Sequence, residues 1–280
     1  MPGLWRKIGR ILASVFALLV ALIWVFPVYW MINSAFLPNT KLNGATPTFL
    51  PLGGSLTNFK LVFSEGNFSA ALRMSLLITL ITVVFTLLFA FLAALAISRY
   101  RFKGRKSFVL AVLFIQMLPA EGLFLAQYSM IRDLGLLNTV IGVSLIYVAA
   151  VVPFTVWMLR GFVAGIPADL EEAAMVDGLS RTQAFFRITF PLLAPGLVAS
   201  GVYAFLQAWN EFTVALVLLQ GETKTLPLWL RGFIQQSSQH EIDWGQVMAA
   251  STLVAVPVIV FFLLVQGRMT SGLVAGAVKG

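Results

Sequence analysis

The chain has 280 residues, 59% hydrophobic and only 11% charged, with a mean hydropathy of +0.92. A soluble domain carries about 25% charged residues, so this chain cannot cover a water-facing surface and a bilayer must solvate much of it. Its net charge of +8 comes from basic residues set between apolar runs rather than from a basic and aromatic nucleic-acid module, which excludes nucleic acid as a partner. With no cysteine and one histidine (His240), disulfide, thiolate and clustered-metal chemistry are excluded too.

A membrane helix needs about 20 mostly apolar residues. Six such stretches occur in order: Ile11 to Ala35, Leu72 to Ile97, Phe108 to Ile131, Thr139 to Leu159, Leu192 to Leu219, and Gln246 to Gln266. Arg6, Lys7 and Arg10 precede the first, as in a signal peptide, but it is too long for one and Phe26-Pro27-Val28-Tyr29-Trp30 offers no cleavage site. The fold expected is therefore all-α, a single polytopic membrane domain over residues 1–280.

Basic residues set the orientation. Arg6, Lys7 and Arg10 lie before the first span, and Arg99, Arg101, Lys103, Arg105 and Lys106 between the second and third. Arg160, Arg181 and Arg187 lie between the fourth and fifth, and Arg268 and Lys279 after the sixth. These are alternate loops, so both termini are expected in the cytoplasm. The opposite side holds a long loop, Phe36 to Ala71, broken by Pro38, Pro47, Pro51 and Gly53-Gly54, and a polar loop from Gly221 to Trp244 that contains His240.

Spanning does not explain the cytoplasmic link from Gly165 to Pro191. Pro167 can open a helix, and Asp169, Glu171 and Glu172 suit the positive end of its dipole. Ala173, Ala174 and Met175 favour helix, Gly178 fits the left-handed stop, and Ser180 with Gln183 reads as a capping box that starts a second helix. Two readings follow: a connector lying on the membrane, or a socket for a protein partner. An anionic leaflet repels three acidic residues, which favours the socket.

The run Glu172-Ala173-Ala174, then Gly178, then Ile188 and Pro191, resembles the EAA loop of permease subunits in ABC importers, with Phe190 where that pattern has Leu. Ala208-Trp209-Asn210-Glu211 and the tail Gly272 to Gly280 look like the MalG-type branch, which serves carbohydrate uptake. The resemblance implies a permease of the bacterial inner membrane. Its partners would be a second homologous permease chain, two ATPase subunits and an external solute-binding protein, and its substrate a sugar. Glu171, Glu172, Ala173, Ala174, Asp177 and Gly178 would form the coupling helix that docks on the ATPase, with the C-terminal tail adding contacts. The chain has no Gly-x4-Gly-Lys-Ser/Thr loop, so it needs no cofactor of its own, and ATP with Mg is expected on the partner ATPases.

Ionisable and polar groups within spans are candidates for the solute pathway. Glu121 follows Pro119 in the third span and Glu211 closes the fifth, with Gln116, Gln127, Tyr128 and Asn210 nearby. A solvated helix end or a packing contact is the competing reading for each. A phosphorylated-glycerol or polyol cargo belongs to the same branch. A stand-alone secondary transporter is disfavoured by the EAA loop, and a membrane enzyme by the dispersed acids.

Overall fold

The structure is a computed structural model that describes the backbone of residues 2–65, 67–237 and 242–277, and side chains at 7–64, 67–119, 122–235 and 242–267. The side chains of Arg6, Glu121, Arg268 and the tail, and all of His240, Glu241 and Lys279, lie outside the described residues. In chain order the helices are α1 Pro2–Ala35, α2 Asn39–Leu42, α3 Thr57–Glu65, α4 Phe68–Arg99, α5 Arg105–Ile115, α6 Phe124–Asp133 and α7 Val140–Ala164. There follow α8 Asp169–Val176, α9 Arg181–Ala184, α10 Phe190–Asn210, α11 Thr213–Leu218, α12 Leu226–Ser237 and α13 Trp244–Ala277. No strand occurs among the described residues. Backbone contacts divide the chain into two units, residues 1–68 with 230–257, and residues 69–229 with 258–280.

In the first unit, α1 exposes Phe16, Ile23 and Trp24 at 70%, 70% and 77%, a surface only lipid or another apolar partner can cover. The loop after it holds more regular structure than its prolines and glycines predict. Asn58 of α3 donates to the carbonyls of Ala35 and Leu37, both at 2.9 Å, and so caps the buried C-terminal end of α1. Asn39 accepts from the Trp244 N–H at 3.1 Å, which fixes the start of α13.

In the second unit, four passes run between the same two apolar clusters. One cluster contains Ile78 of α4, Ile131 of α6, Val143 and Tyr147 of α7, and Ala208 of α10. The other contains Ala90 and Ile97 of α4, Leu159 and Val163 of α7, and Leu193 of α10, with Val109 of α5 packed against it. Chain direction therefore alternates, and the basic link after α4 and the segment between α7 and α10 fall at one end. This agrees with the alternation read from the arginines and lysines.

The third predicted span is not one helix. α5 ends at Ile115, and a short 3-10 turn, Ala120–Leu123, leads into α6. Pro119 accounts for the break, since it has no N–H to give the Ile115 carbonyl where α5 ends and its ring crowds that carbonyl. Five helices are long and apolar enough to cross a membrane, and the α5–α6 pair makes a sixth pass because its two halves pack at opposite ends of α7. The fifth span also shifts. Its continuous helix runs from Arg181 to Asn210, and Glu211 separates it from α11. A π-turn, Phe185–Thr189, lies within it, where Pro191 withholds the hydrogen bond that the Arg187 carbonyl would accept.

α10 packs most extensively on α7. Gly196, Ser200, Ala204 and Ala208 recur every fourth residue and are all buried, the small-residue stripe that brings helices close in a membrane. A Cβ at Gly196 would lie 2.5 Å from Phe162 Cγ of α7. Replacing a helical glycine by alanine normally gains about 0.5–1 kcal/mol, whereas overpacking costs about 1–3 kcal/mol. Gly196→Ala should therefore lower the melting temperature in detergent. Adding Phe162→Ala should recover part of that loss, and a higher melting temperature for Gly196→Ala alone would contradict the close packing.

Candidate functional site

The link between α7 and α10 folds largely as its residues dictate. α8 begins at Asp169, with Ala168 rather than Pro167 at the helix entry, and carries Asp169, Glu171 and Glu172 in its first turn. Gly178 takes φ +92°, a conformation costly for any side chain, and nothing lies within 4 Å of a Cβ built there. The need for glycine is thus a backbone need. Ser180 and Gln183 form the capping box, with the Ser180 N–H donating to Gln183 Oε1 at 2.9 Å and the Gln183 N–H to Ser180 Oγ at 3.3 Å.

α8 has two faces. Ala174 is buried, and α8 packs on α9 and the π-turn. Glu172, Ala173, Asp177 and Gly178 are exposed, together with Leu170, Met175 and Val176, the last at 88%. An apolar tip ringed by carboxylates is a surface suited to a protein partner. Sequence reasoning passed over Val176, whose signal is a bare β-branched residue at the end of an acidic helix.

Glu171 is turned away from that free face. Its side chain is 17% exposed and turns inward. Glu171 Oε1 lies 3.5 Å from Arg99 Nη2 at the end of α4 and accepts from Thr189 Oγ1 at 2.5 Å. Beside it Arg181 stands over the Tyr100 ring at 5.8 Å. Arg99, Tyr100, Glu171, Glu172 and Arg181 line a cavity of about 510 Å³. Neither Arg99 nor Thr189 could be singled out from spacing, because they lie 72 and 18 residues away from Glu171 in sequence.

The five pathway candidates whose side chains are described do not assemble into one site. Glu211 is half-buried and accepts from the N–H groups of Val214 at 2.7 Å and Ala215 at 3.1 Å, and from the Tyr147 hydroxyl at 2.5 Å. It caps α11 and ties it to α7. Tyr128 packs against the apolar cluster around Tyr147. Gln127 is half-buried, with its Oε1 buried and without a hydrogen-bond partner. Asn210 is exposed and its Nδ2 donates to the Leu206 carbonyl at 2.9 Å. Gln116, also exposed, sits in the α5–α6 break and reaches the Ala150 carbonyl of α7 at 3.4 Å. A buried row on α4, Ser75, Thr79, Thr82 and Thr86, was not anticipated; Ser75 Oγ accepts from the Leu226 N–H at 2.7 Å. Among the described residues no three His, Cys, Asp or Glu side chains come together as a metal site.

Glu211→Ala strands two N–H groups and a hydroxyl. Loss of a cap costs about 1–2 kcal/mol, or roughly 2–8 °C for a chain of this size. Melting in detergent should show that drop, with a smaller one for Tyr147→Phe, whereas an unchanged midpoint for both would remove the capping role.

Among the described residues the chain is helical throughout its regular elements, with five helices long and apolar enough to cross a membrane, the α5–α6 pair, and one compact acidic helix between α7 and α10, the make-up of a multi-pass membrane protein. The family model described as "binding-protein-dependent transport system inner membrane component" matches residues 87–272, and the chain belongs to that family. It is 41% identical over 273 residues to the diacetylchitobiose uptake system permease protein DasC of Streptomyces coelicolor, covering 97% of this chain and 98% of that one. It is 37% identical over 279 residues to the trehalose/maltose transport system permease protein MalG of Thermococcus litoralis, covering 97% of each. A chain in the crystal structure of a bacterial ABC transporter involved in import of the acidic polysaccharide alginate superposes with a TM-score of 0.76 at 25% identity, covering 93% of this chain and 96% of that one.

Proposed function

We propose that this chain is one half of the membrane pathway of an ATP-driven importer for a sugar or oligosaccharide, working with a solute-binding protein outside the membrane. The observation that carries the reading is α8, a short acidic helix closed by a left-handed glycine, which presents Glu172, Ala173 and Val176 outward. The relatives that carry diacetylchitobiose and trehalose or maltose support a sugar as the cargo. Two ATPase subunits bind ATP and Mg; one of them docks on α8, and a second homologous permease chain completes the pathway. Both termini face the cytoplasm, on the side of the arginine- and lysine-rich links.

ATP binding closes the ATPases and moves α8, and the passes then alternate between outward- and inward-open arrangements. The α5–α6 break supplies the pathway's polar wall. Non-helical backbone at membrane depth is tolerated where it is buried in protein or lines a watered cavity, and Gln116 and Met117 of this break are exposed.

Co-purification of the native complex tests the docking. The wild-type chain should bring down an ATPase subunit, while Gly178→Asp and Val176→Asp lose it and keep the second permease chain. A wild type without any ATPase would overturn the importer reading. Uptake into proteoliposomes of radiolabelled diacetylchitobiose, trehalose and maltose tests the cargo, and transport of none of them would remove the sugar assignment. Gln116→Leu should raise the KM for uptake severalfold with ATPase co-purification intact; an unchanged KM takes Gln116 out of the pathway.

A further inference from the structure

We infer that Arg99, Glu171 and Thr189 form a strut that carries the motion of α8 to two membrane helices at once. This deepens the importer reading and rests on it. Glu171 sits on α8 yet is turned away from the exposed face that meets a partner. Its carboxylate joins Arg99, the last residue of α4, and Thr189, in the π-turn ahead of α10. α4 is an unbroken helix of 32 residues, about 48 Å long. It therefore delivers a displacement at Arg99 to its far end, where Ile78 packs with Tyr147 and Ala208.

The environment makes the tie matter. The Arg99 and Glu171 side chains are only 16% and 17% exposed, so water screens the pair weakly. The buried Nε and Nη2 of Arg99 have no hydrogen-bond partner, which leaves the Glu171 carboxylate as the counter-charge of the guanidinium. Removing either charge leaves the other buried alone. Thr189 is fully buried and its hydroxyl aims at the same Oε1, so the carboxylate is held from two elements and cannot swing with α8 alone. The π-turn in which Thr189 sits is widened and less tightly bonded than an α-turn, a natural place for α10 to pivot. Glu172, one residue on, is exposed at the edge of the same cavity and free of these ties. Adjacent glutamates thus have different work: Glu172 receives the motion and Glu171, a positioning residue, passes it on.

The assembled complex tests this in nanodiscs, and a chain without cysteine takes spin labels cleanly. Labels at Ser69→Cys and Leu134→Cys report the end of the helices remote from α8. Trapping the ATPases with ATP and vanadate should shift the inter-label distance in the otherwise wild-type chain. Glu171→Gln and Arg99→Gln should still co-purify with the ATPases and trap ADP-vanadate, but should lose at least half of that shift, with Thr189→Val losing less. The charge exchange Arg99→Glu with Glu171→Arg should restore it, which a mere loss of folding would not allow. An undiminished shift in both single variants overturns the strut, as does loss of the ATPases from Glu171→Gln, which would make Glu171 a docking residue. Absence of ATPases from the wild-type complex overturns the importer reading itself.

Discussion

In hydrocarbon an unpaired peptide N–H or C=O costs several kcal/mol, because no water is there to accept or donate. The rest of this structure depends on that constraint. It makes the chain helical wherever it is apolar, and it makes each departure from helix conspicuous. At the α5–α6 break, the Met117 and Leu118 N–H groups turn back to the carbonyls of Phe114 and Ile115, and Gln116 reaches across to α7. At the end of α10, the Glu211 carboxylate replaces the missing carbonyl acceptors for Val214 and Ala215. A proline lies in or just beyond two of the three irregular turns of the passes, Pro119 in the α5–α6 break and Pro191 after the π-turn.

Packing between passes follows from the same solvent. Lipid is as apolar as leucine, so helices gain little by hiding apolar surface from it, and they associate by close fit and polar contacts instead. Gly196 and Ala208 let α10 approach α7, and the two apolar clusters pin both ends of α4, α7 and α10. Stacking of Phe205 on Phe261 at 3.9 Å then joins α10 to the later part of α13. What results is a set of stiff rods whose ends are tied together, a form suited to passing movement from one end to the other.

The segment between α7 and α10 is the complement of those rods. It is short, and a glycine at positive φ, Gly178, turns the chain between α8 and α9. Of its two glutamates, Glu171 is held by Arg99 and Thr189 while Glu172 is exposed, so one helical turn both holds the rods and offers a free carboxylate. Val176 beside them is apolar and exposed among carboxylates.

By itself the sequence determined the solvent, the approximate place of the passes, and the short helix and tight turn between α7 and α10. Each rests on local signals: long apolar runs, and turn chemistry such as Gly178 and the Ser180–Gln183 box, which act within a few residues. Only the tertiary structure decided which polar groups are spent on structure. Glu211 reads as a pathway acid in sequence, yet it caps α11 because the chain bends there and brings Tyr147 to it from 64 residues away. Glu171 reads as part of a docking face, yet packing of α8 on the π-turn carries it to Thr189, and the end of α4 supplies Arg99. Such roles depend on which elements meet in space, and no period or spacing along the chain encodes that.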